Sequence, residues 1–302
     1  MIEYFMWNDK VQQIKEGEIK VISRCISLIE NRVDGYEQLL QSIETRDIPV
    51  IGITGPPGAG KSTLADALIT EAIAEHKRVA VLCVDPSSPF TFGSLLGDRI
   101  RMSKWYNVPS VYIRSLATRG SLGGLHPMII EITDLLRSSN FDMILIETVG
   151  IGQSEIDISG IADITIVVLV PEAGDDIQAM KAGIMEIADI FVINKSDRPG
   201  ADIFVGNLKN NLPAEAQTPI MKTIAGNHEG VHDLYTLLKS YFDNGRKSQR
   251  KFTVLANKAY GLISHRRMND LHISELETEI KDAMKLPGTF NFYQFINSKV
   301  SK

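Results

Sequence analysis

The stretch IPVIGITGPPGAGKS, residues 48–62, leaves few folds open to the chain around it. A short, β-rich apolar run ends on Gly55, and the eight residues from there to Ser62 fit G-x-x-x-x-G-K-[ST]. The residues that follow, STLADALITEAIAEH at 62–76, have a helix-forming composition. The order is therefore strand, glycine-rich turn, helix. Glycines let backbone N–H groups turn inward around an oxyanion. The helix opening near Lys61 adds its positive N-terminal end. In this pattern Lys61 reaches the β- and γ-phosphates of a nucleotide, and Ser62 holds Mg²⁺ through its hydroxyl. A chance glycine-rich turn could carry the same letters, but it would not need a strand before it and a helix after it.

A loop of this kind needs a sheet to sit on, and the chain provides one. Four further apolar runs recur: RVAVLCVD (78–85), FDMILIET (141–148), ADITIVVLV (162–170) and DIFVINKSD (189–197). VYIRS (111–115) and PIMKTIA (219–225) are weaker candidates. The main runs are continuous rather than alternating, as expected of strands buried on both faces of a parallel sheet. Helical segments such as DDIQAMKAGIMEIA (175–188) lie between them. The expected fold is α/β, a doubly wound and mostly parallel sheet. From about residue 8 to 45 apolar residues recur at helical spacing, with Ile22, Cys25, Ile26 and Ile29 on one face and Gly35 expected to separate two helices. A helical pattern returns after about residue 230. The expected organisation is an N-terminal helical extension (1–46), a nucleotide-binding domain (47–243) and a C-terminal helical segment (244–302).

In open α/β sheets, sites form at the carboxyl ends of strands. The run at 189–193 leads into NKSD, 194–197, which looks like a guanine-recognition motif. A carboxylate at Asp197 can accept from guanine N1–H and from the exocyclic amine. Adenine offers no such pair, so ATP would leave the carboxylate unpaired. Asn194 would contact the base or brace the loop, and the stem of Lys195 could cover the ring. TIAG, 223–226, occupies the place of a second base-contacting loop, where Ile224 leaves a backbone contact near Ala225 as the plausible interaction. In ILIETVGIGQSE, 144–155, Glu147 ends an apolar run where a carboxylate can reach a Mg²⁺ shell. The backbone N–H of Gly150 is placed to bind a γ-phosphate and to be released when that phosphate leaves. Asp85 and Asp98 lie in a Gly/Ser/Pro-rich segment, where Mg²⁺ ligation and a turn or helix-cap role are both open.

Taken together, GPPGAGKST, VDPSSPFTFGSLLGDRIRM, ETVGIGQSE, PEAGDDIQAMKAGIMEIADI and NKSD resemble the MeaB/ArgK/MMAA family, GTPases of the G3E branch of P-loop NTPases. The resemblance covers roughly residues 10–270. It implies a GTP-hydrolysing chaperone for adenosylcobalamin-dependent methylmalonyl-CoA mutase, or a related acyl-CoA mutase, that gates cofactor loading and protects or reactivates the enzyme. It implies Gly55, Pro56, Pro57, Gly58, Ala59, Gly60, Lys61, Ser62 and Thr63 around the phosphates, with Asn194, Lys195, Asp197 and Ala225 at the base. Ser62, Asp85, Asp98 and Glu147 would hold Mg²⁺, and Lys61, Asp98, Glu147 and Gly150 would serve hydrolysis. Segments 147–156 and 171–186 would be switches, and the C-terminal helices would make a homodimer. The TIAG loop and the tail after about residue 270 depart from the family pattern.

Composition narrows the remaining classes. Net charge is −5, with no long basic tract beyond RKSQRK at 246–251, which argues against a nucleic-acid partner. Two cysteines without C-x-x-C spacing provide neither a disulfide framework nor a cysteine-rich metal site. No run approaches a membrane span and no signal peptide is legible, so the expected location is cytoplasmic. A nickel-type metallochaperone GTPase would need thiol or imidazole ligands, and the six histidines do not cluster in the sequence. A transport-associated kinase, a label some family members carry, would need an acceptor pocket that no feature marks.

Overall fold

The computed structural model describes residues 2–85, 102–118, 125–148, 158–172, 184–212, 218–245, 250–267, 273–285 and 295–296. Asp98, Gly150 and most of the two expected switch segments lie outside these residues.

Seven strands form one sheet: β1 (Val50–Thr54), β2 (Val79–Asp85), β3 (Val111–Ala117), β4 (Met143–Glu147), β5 (Ile164–Leu169), β6 (Ile190–Ile193) and β7 (Ile220–Lys222). The spatial order is β3-β2-β4-β1-β5-β6-β7, and every pairing is parallel. All seven coincide with apolar runs in the sequence, including the two weak ones. VYIRS proves to be part of the full-length edge strand β3, because Tyr112 and Leu116 bury against helices on one face.

The inner strands are buried at every position. Successive side chains point to opposite faces, so a continuous apolar run is what two covered faces require. On one face Ile51, Ile53, Val81, Leu145, Ile166 and Val168 pack with α4 (Lys61–Ala74) and α8 (Val231–Asp243). On the other, Val50, Leu82, Ile144 and Ile146 pack with α1 (Ile2–Glu16), α2 (Ile19–Glu30), α3 (Tyr36–Ser42) and α5 (Ile129–Arg137). Fully burying one such isoleucine contributes about 1.5–3 kcal/mol. A smaller cluster joins β5 and β6 to α7 (Ala201–Asn211). Helix α6 (Ile184–Ile187) is a single turn leading into β6.

The N-terminal region differs from expectation in one respect. It forms three helices, not two, because Gly17 (φ +82°) breaks the run before Gly35 does. The Ile22, Cys25, Ile26 and Ile29 face of α2 is buried as the spacing requires. It lies in the same apolar cluster as β1, β2 and β4, so these helices cover the second face of the sheet.

The chain divides into two compact units, Met1–Val254 and Leu255–Lys302. Helix α9 (Arg250–Arg267) spans the division, and α10 (Ile273–Lys285) belongs to the second unit. Among the described residues, no helix is long and apolar enough to cross a membrane.

Candidate functional site

With all strands parallel, their carboxyl ends share one edge. The chain leaves the strands there at Thr54, Asp85, Ala117, Glu147, Leu169, Ile193 and Lys222. Strand β1 is central, and its exit is the phosphate loop.

That loop is shaped by two close approaches that exclude side chains. Gly55 has φ +137°, and a Cβ there would lie 2.1 Å from the carbonyl oxygen of Val168 on β5. Gly60 has φ +90°, and its Cβ would meet Asn194 Nδ2 at 2.3 Å. Pro57 and Gly58 are exposed at the tip, whereas Pro56 and Ala59 are buried. Gly60 caps α4 without offering a side chain, and the first turn of the helix carries no acidic residue. The N–H groups and dipole at this end are therefore suited to an anion. Lys61 is 7% exposed, and its ammonium donates to the carbonyls of Gly55 (2.9 Å) and Pro56 (3.0 Å). These bonds hold the cation inside the loop. Thr63, also expected at the phosphates, has its side chain exposed on the first turn.

Beside the loop, Ser62 Oγ donates to Glu147 Oε1 at 2.6 Å. Glu147 ends β4, paired in register with Ile53 of β1 and Cys83 of β2. Asp85 ends β2 two residues beyond that register position, and both carboxylates are 5% exposed. A hydroxyl and two strand-end carboxylates are hard oxygen donors, the chemistry that suits Mg²⁺. Among the described residues, no group of three or more His, Cys, Asp or Glu side chains is arranged to hold a metal ion.

The guanine-type motif is built into the same site. Asn194 is 2% exposed. Its Nδ2 donates to the carbonyl of Ala59 at 2.9 Å. Its Oδ1 accepts from Ala225 N–H at 3.0 Å and from Thr223 Oγ at 3.2 Å. Through these bonds Asn194 ties the phosphate loop to the loop after β7. The Ala225 N–H, expected near the base, is hydrogen-bonded to that side chain. Lys195, in the left-handed region at φ +55°, sends its ammonium to the carbonyl of Gly58 at 2.8 Å. Asp197 is exposed at the outer side of the loop. Asn194 and Lys195 thus bond to the phosphate loop directly, across more than 130 residues of sequence.

Two contributors escaped sequence reading. Thr148 Oγ donates to Thr54 Oγ at 2.8 Å, joining the exits of β4 and β1 beneath the loop. The hydroxyl of Thr223 orients the amide of Asn194. A threonine just past a strand end gives no period or spacing to search for, so neither had a sequence signal.

Residues 22–277 match the family model described as Methylmalonyl Co-A mutase-associated GTPase MeaB. A protein of Pyrococcus horikoshii named as a GTPase is 41% identical over 271 residues, 85% of this chain and 86% of its own length. The fused isobutyryl-CoA mutase of Geobacillus kaustophilus is 38% identical over 253 residues, which make up 76% of this chain and 23% of that protein. Among solved structures, a LAO/AO transport system kinase aligns with a TM-score of 0.69 at 23% identity, over 92% of this chain and 90% of its own.

Proposed function

Because this chain belongs to the MeaB family of methylmalonyl Co-A mutase-associated GTPases, we propose that it is a GTP-hydrolysing switch that chaperones a cobalamin-dependent acyl-CoA mutase. One observation carries the nucleotide half of this reading. Asn194 and Lys195 of the base-reading motif are bonded to Ala59 and Gly58 of the phosphate loop, which makes one nucleotide site of two distant motifs. The mutase half is supported by the family match and by the relative that carries a similar stretch within a fused mutase.

In this reading the backbone of 55–60 and the α4 N-terminus bind the phosphates, Lys61 offsets charge that builds on them, and Asp197 selects guanine. Ser62, Asp85, Asp98 and Glu147 would hold Mg²⁺, which would supply positive charge to offset that building on the phosphates. Water attacks the γ-phosphorus as its bond to the β–γ bridging oxygen breaks, giving GDP and inorganic phosphate, and the Gly150 N–H donates to the γ-phosphate. The runs 147–156 and 171–186 carry the nucleotide state to the mutase, gating entry of its cofactor and protecting it from inactivation. The N-terminal helices, the 47–243 domain and the 244–302 segment divide the work, the last by homodimerisation. Exposed Tyr260, Leu262 and Ile263 on α9 support that assignment. The protein works in the cytoplasm.

The test is turnover of GTP and ATP by the purified protein, with and without a cobalamin-dependent acyl-CoA mutase. Slow, GTP-selective hydrolysis that accelerates with the mutase is the expected result. Preference for ATP would defeat the role given to Asp197. GTP hydrolysis indifferent to every acyl-CoA mutase tried would leave the GTPase standing and remove the client.

A further inference from the structure

The loop that reads the base has an outer half, residues 197–200, that is exposed throughout and ends on Gly200 at φ +87°. Its inner half is well held. Asn194 N–H donates to Leu169 O, Ser196 N–H to Thr223 O, and the Asn194 side chain is bonded on both ends. The outer half carries Asp197, the residue whose carboxylate must face the guanine edge. Arg198 follows it directly. Its backbone N–H closes a turn onto Lys195 O at 3.1 Å. Its guanidinium pairs with the carboxylate of Glu172, three residues past the end of β5. The hydrogen bond from Arg198, then one from its own backbone N–H, and more weakly the charge of Lys195, hold that carboxylate below the usual glutamate range.

We propose that the Glu172–Arg198 ion pair is a latch that positions the base-reading loop and slows release of a guanine nucleotide. Fixing the Arg198 side chain fixes the residue that precedes it, because the turn between Lys195 and Arg198 leaves Asp197 little independent freedom. Glu172 is also the second residue of the 171–186 run. Among the described residues of that run, the latch ties Glu172 to the loop that reads the base. Glu172 and Arg198 are positioning residues, acting through Asp197 and not on the reacting phosphate. The inference rests on the guanine-nucleotide reading of the site.

Both side chains are about half exposed, 52% for Glu172 and 45% for Arg198. An ion pair so placed is weak, so the expected effect is modest. Removing either charge, as Glu172→Gln or Arg198→Gln, is expected to speed release of fluorescently labelled GDP by about two- to fivefold at low ionic strength. Exchanging the charges, Glu172→Arg with Arg198→Glu, is expected to bring the rate back toward wild type. At ~1 M salt, where the screening length is about 3 Å, the differences should shrink. A role in folding alone would lower the melting temperature of the single variants and leave the rate of GDP release unchanged. Single variants that release labelled GDP at the wild-type rate would overturn the latch, as would an exchanged pair no slower than the singles. If the wild-type protein fails to bind labelled GDP at all, the guanine reading falls, and the latch falls with it. The two failures are thereby distinct.

Discussion

Asn194 is the residue on which the site closes. Its amide satisfies a carbonyl of the phosphate loop and an N–H of the loop after β7, and it accepts from a buried hydroxyl. The partners come from two segments, the phosphate loop and the 223–225 loop after β7, on either side of Asn194 in sequence. Truncation to alanine leaves the Ala59 carbonyl and the Ala225 N–H unmatched in a buried place, at about 1–3 kcal/mol for each such group. For Asn194→Ala the melting temperature is expected to fall by roughly 4–10 °C, and stabilisation by added GDP should be largely lost. Thermal unfolding with and without GDP measures both. A variant that melts lower but keeps the full GDP shift would show that Asn194 serves the fold and not the site. The same paired geometry explains Gly60. The Asn194 amide occupies the space in which any side chain would stand.

Elements carry the spacing between the two halves of the site. Helix α4 begins at the phosphate loop and α8 follows the loop after β7. They pack along Leu64, Leu68, Leu234 and Leu238, in one apolar cluster. Their outer edges are tied by charge. Lys239 reaches both oxygens of Glu75 at 2.6 and 2.9 Å, and His232 Nδ1 lies 2.8 Å from Glu71. Burial, with Glu75 beside it, pushes the Tyr235 hydroxyl up to about 12, so it stays protonated. The hydrogen bond to Glu71 raises the His232 pKa above its ordinary 6.5. A raised folded-state pKa means that the contribution is fully present below the unfolded pKa and is lost as pH rises through the folded one. The contact should therefore help the fold below the ordinary imidazole pKa and fade as pH rises through the raised one. The imidazole is 72% exposed, so solvent keeps the effect small. Melting of wild type and His232→Gln is expected to differ most on the acid side and to converge at alkaline pH. A gap that stayed constant or widened with pH would contradict this account.

At the scale of the whole molecule, all three apolar clusters draw their residues from the first compact unit, Met1–Val254. Every described residue assigned to the nucleotide lies there too. A chain ending near residue 254 is therefore expected to fold and to bind GDP, read as a rise in melting temperature with GDP concentration. If homodimerisation resides in 244–302, the same truncation should yield a monomer by light scattering. Loss of GDP binding on truncation would show that the second unit contributes to the site.

Much of this architecture was already legible from residue order alone. Continuous apolar runs announce strands covered on both faces, because alternation is lost when neither face meets water. The phosphate loop and NKSD are legible for a similar reason, since their chemistry needs fixed residue types at short fixed spacing. The exit carboxylates Asp85 and Glu147 follow from knowing where each strand stops. What the sequence could not contain is which exits become neighbours. That Ser62 meets Glu147, that Thr148 meets Thr54, and that Asn194 binds Ala59 depend on strand order and register, which place residues some 85 to 135 positions apart within hydrogen-bonding distance. Local patterns record what a segment can form, and only the packed sheet determines what each segment's end will touch.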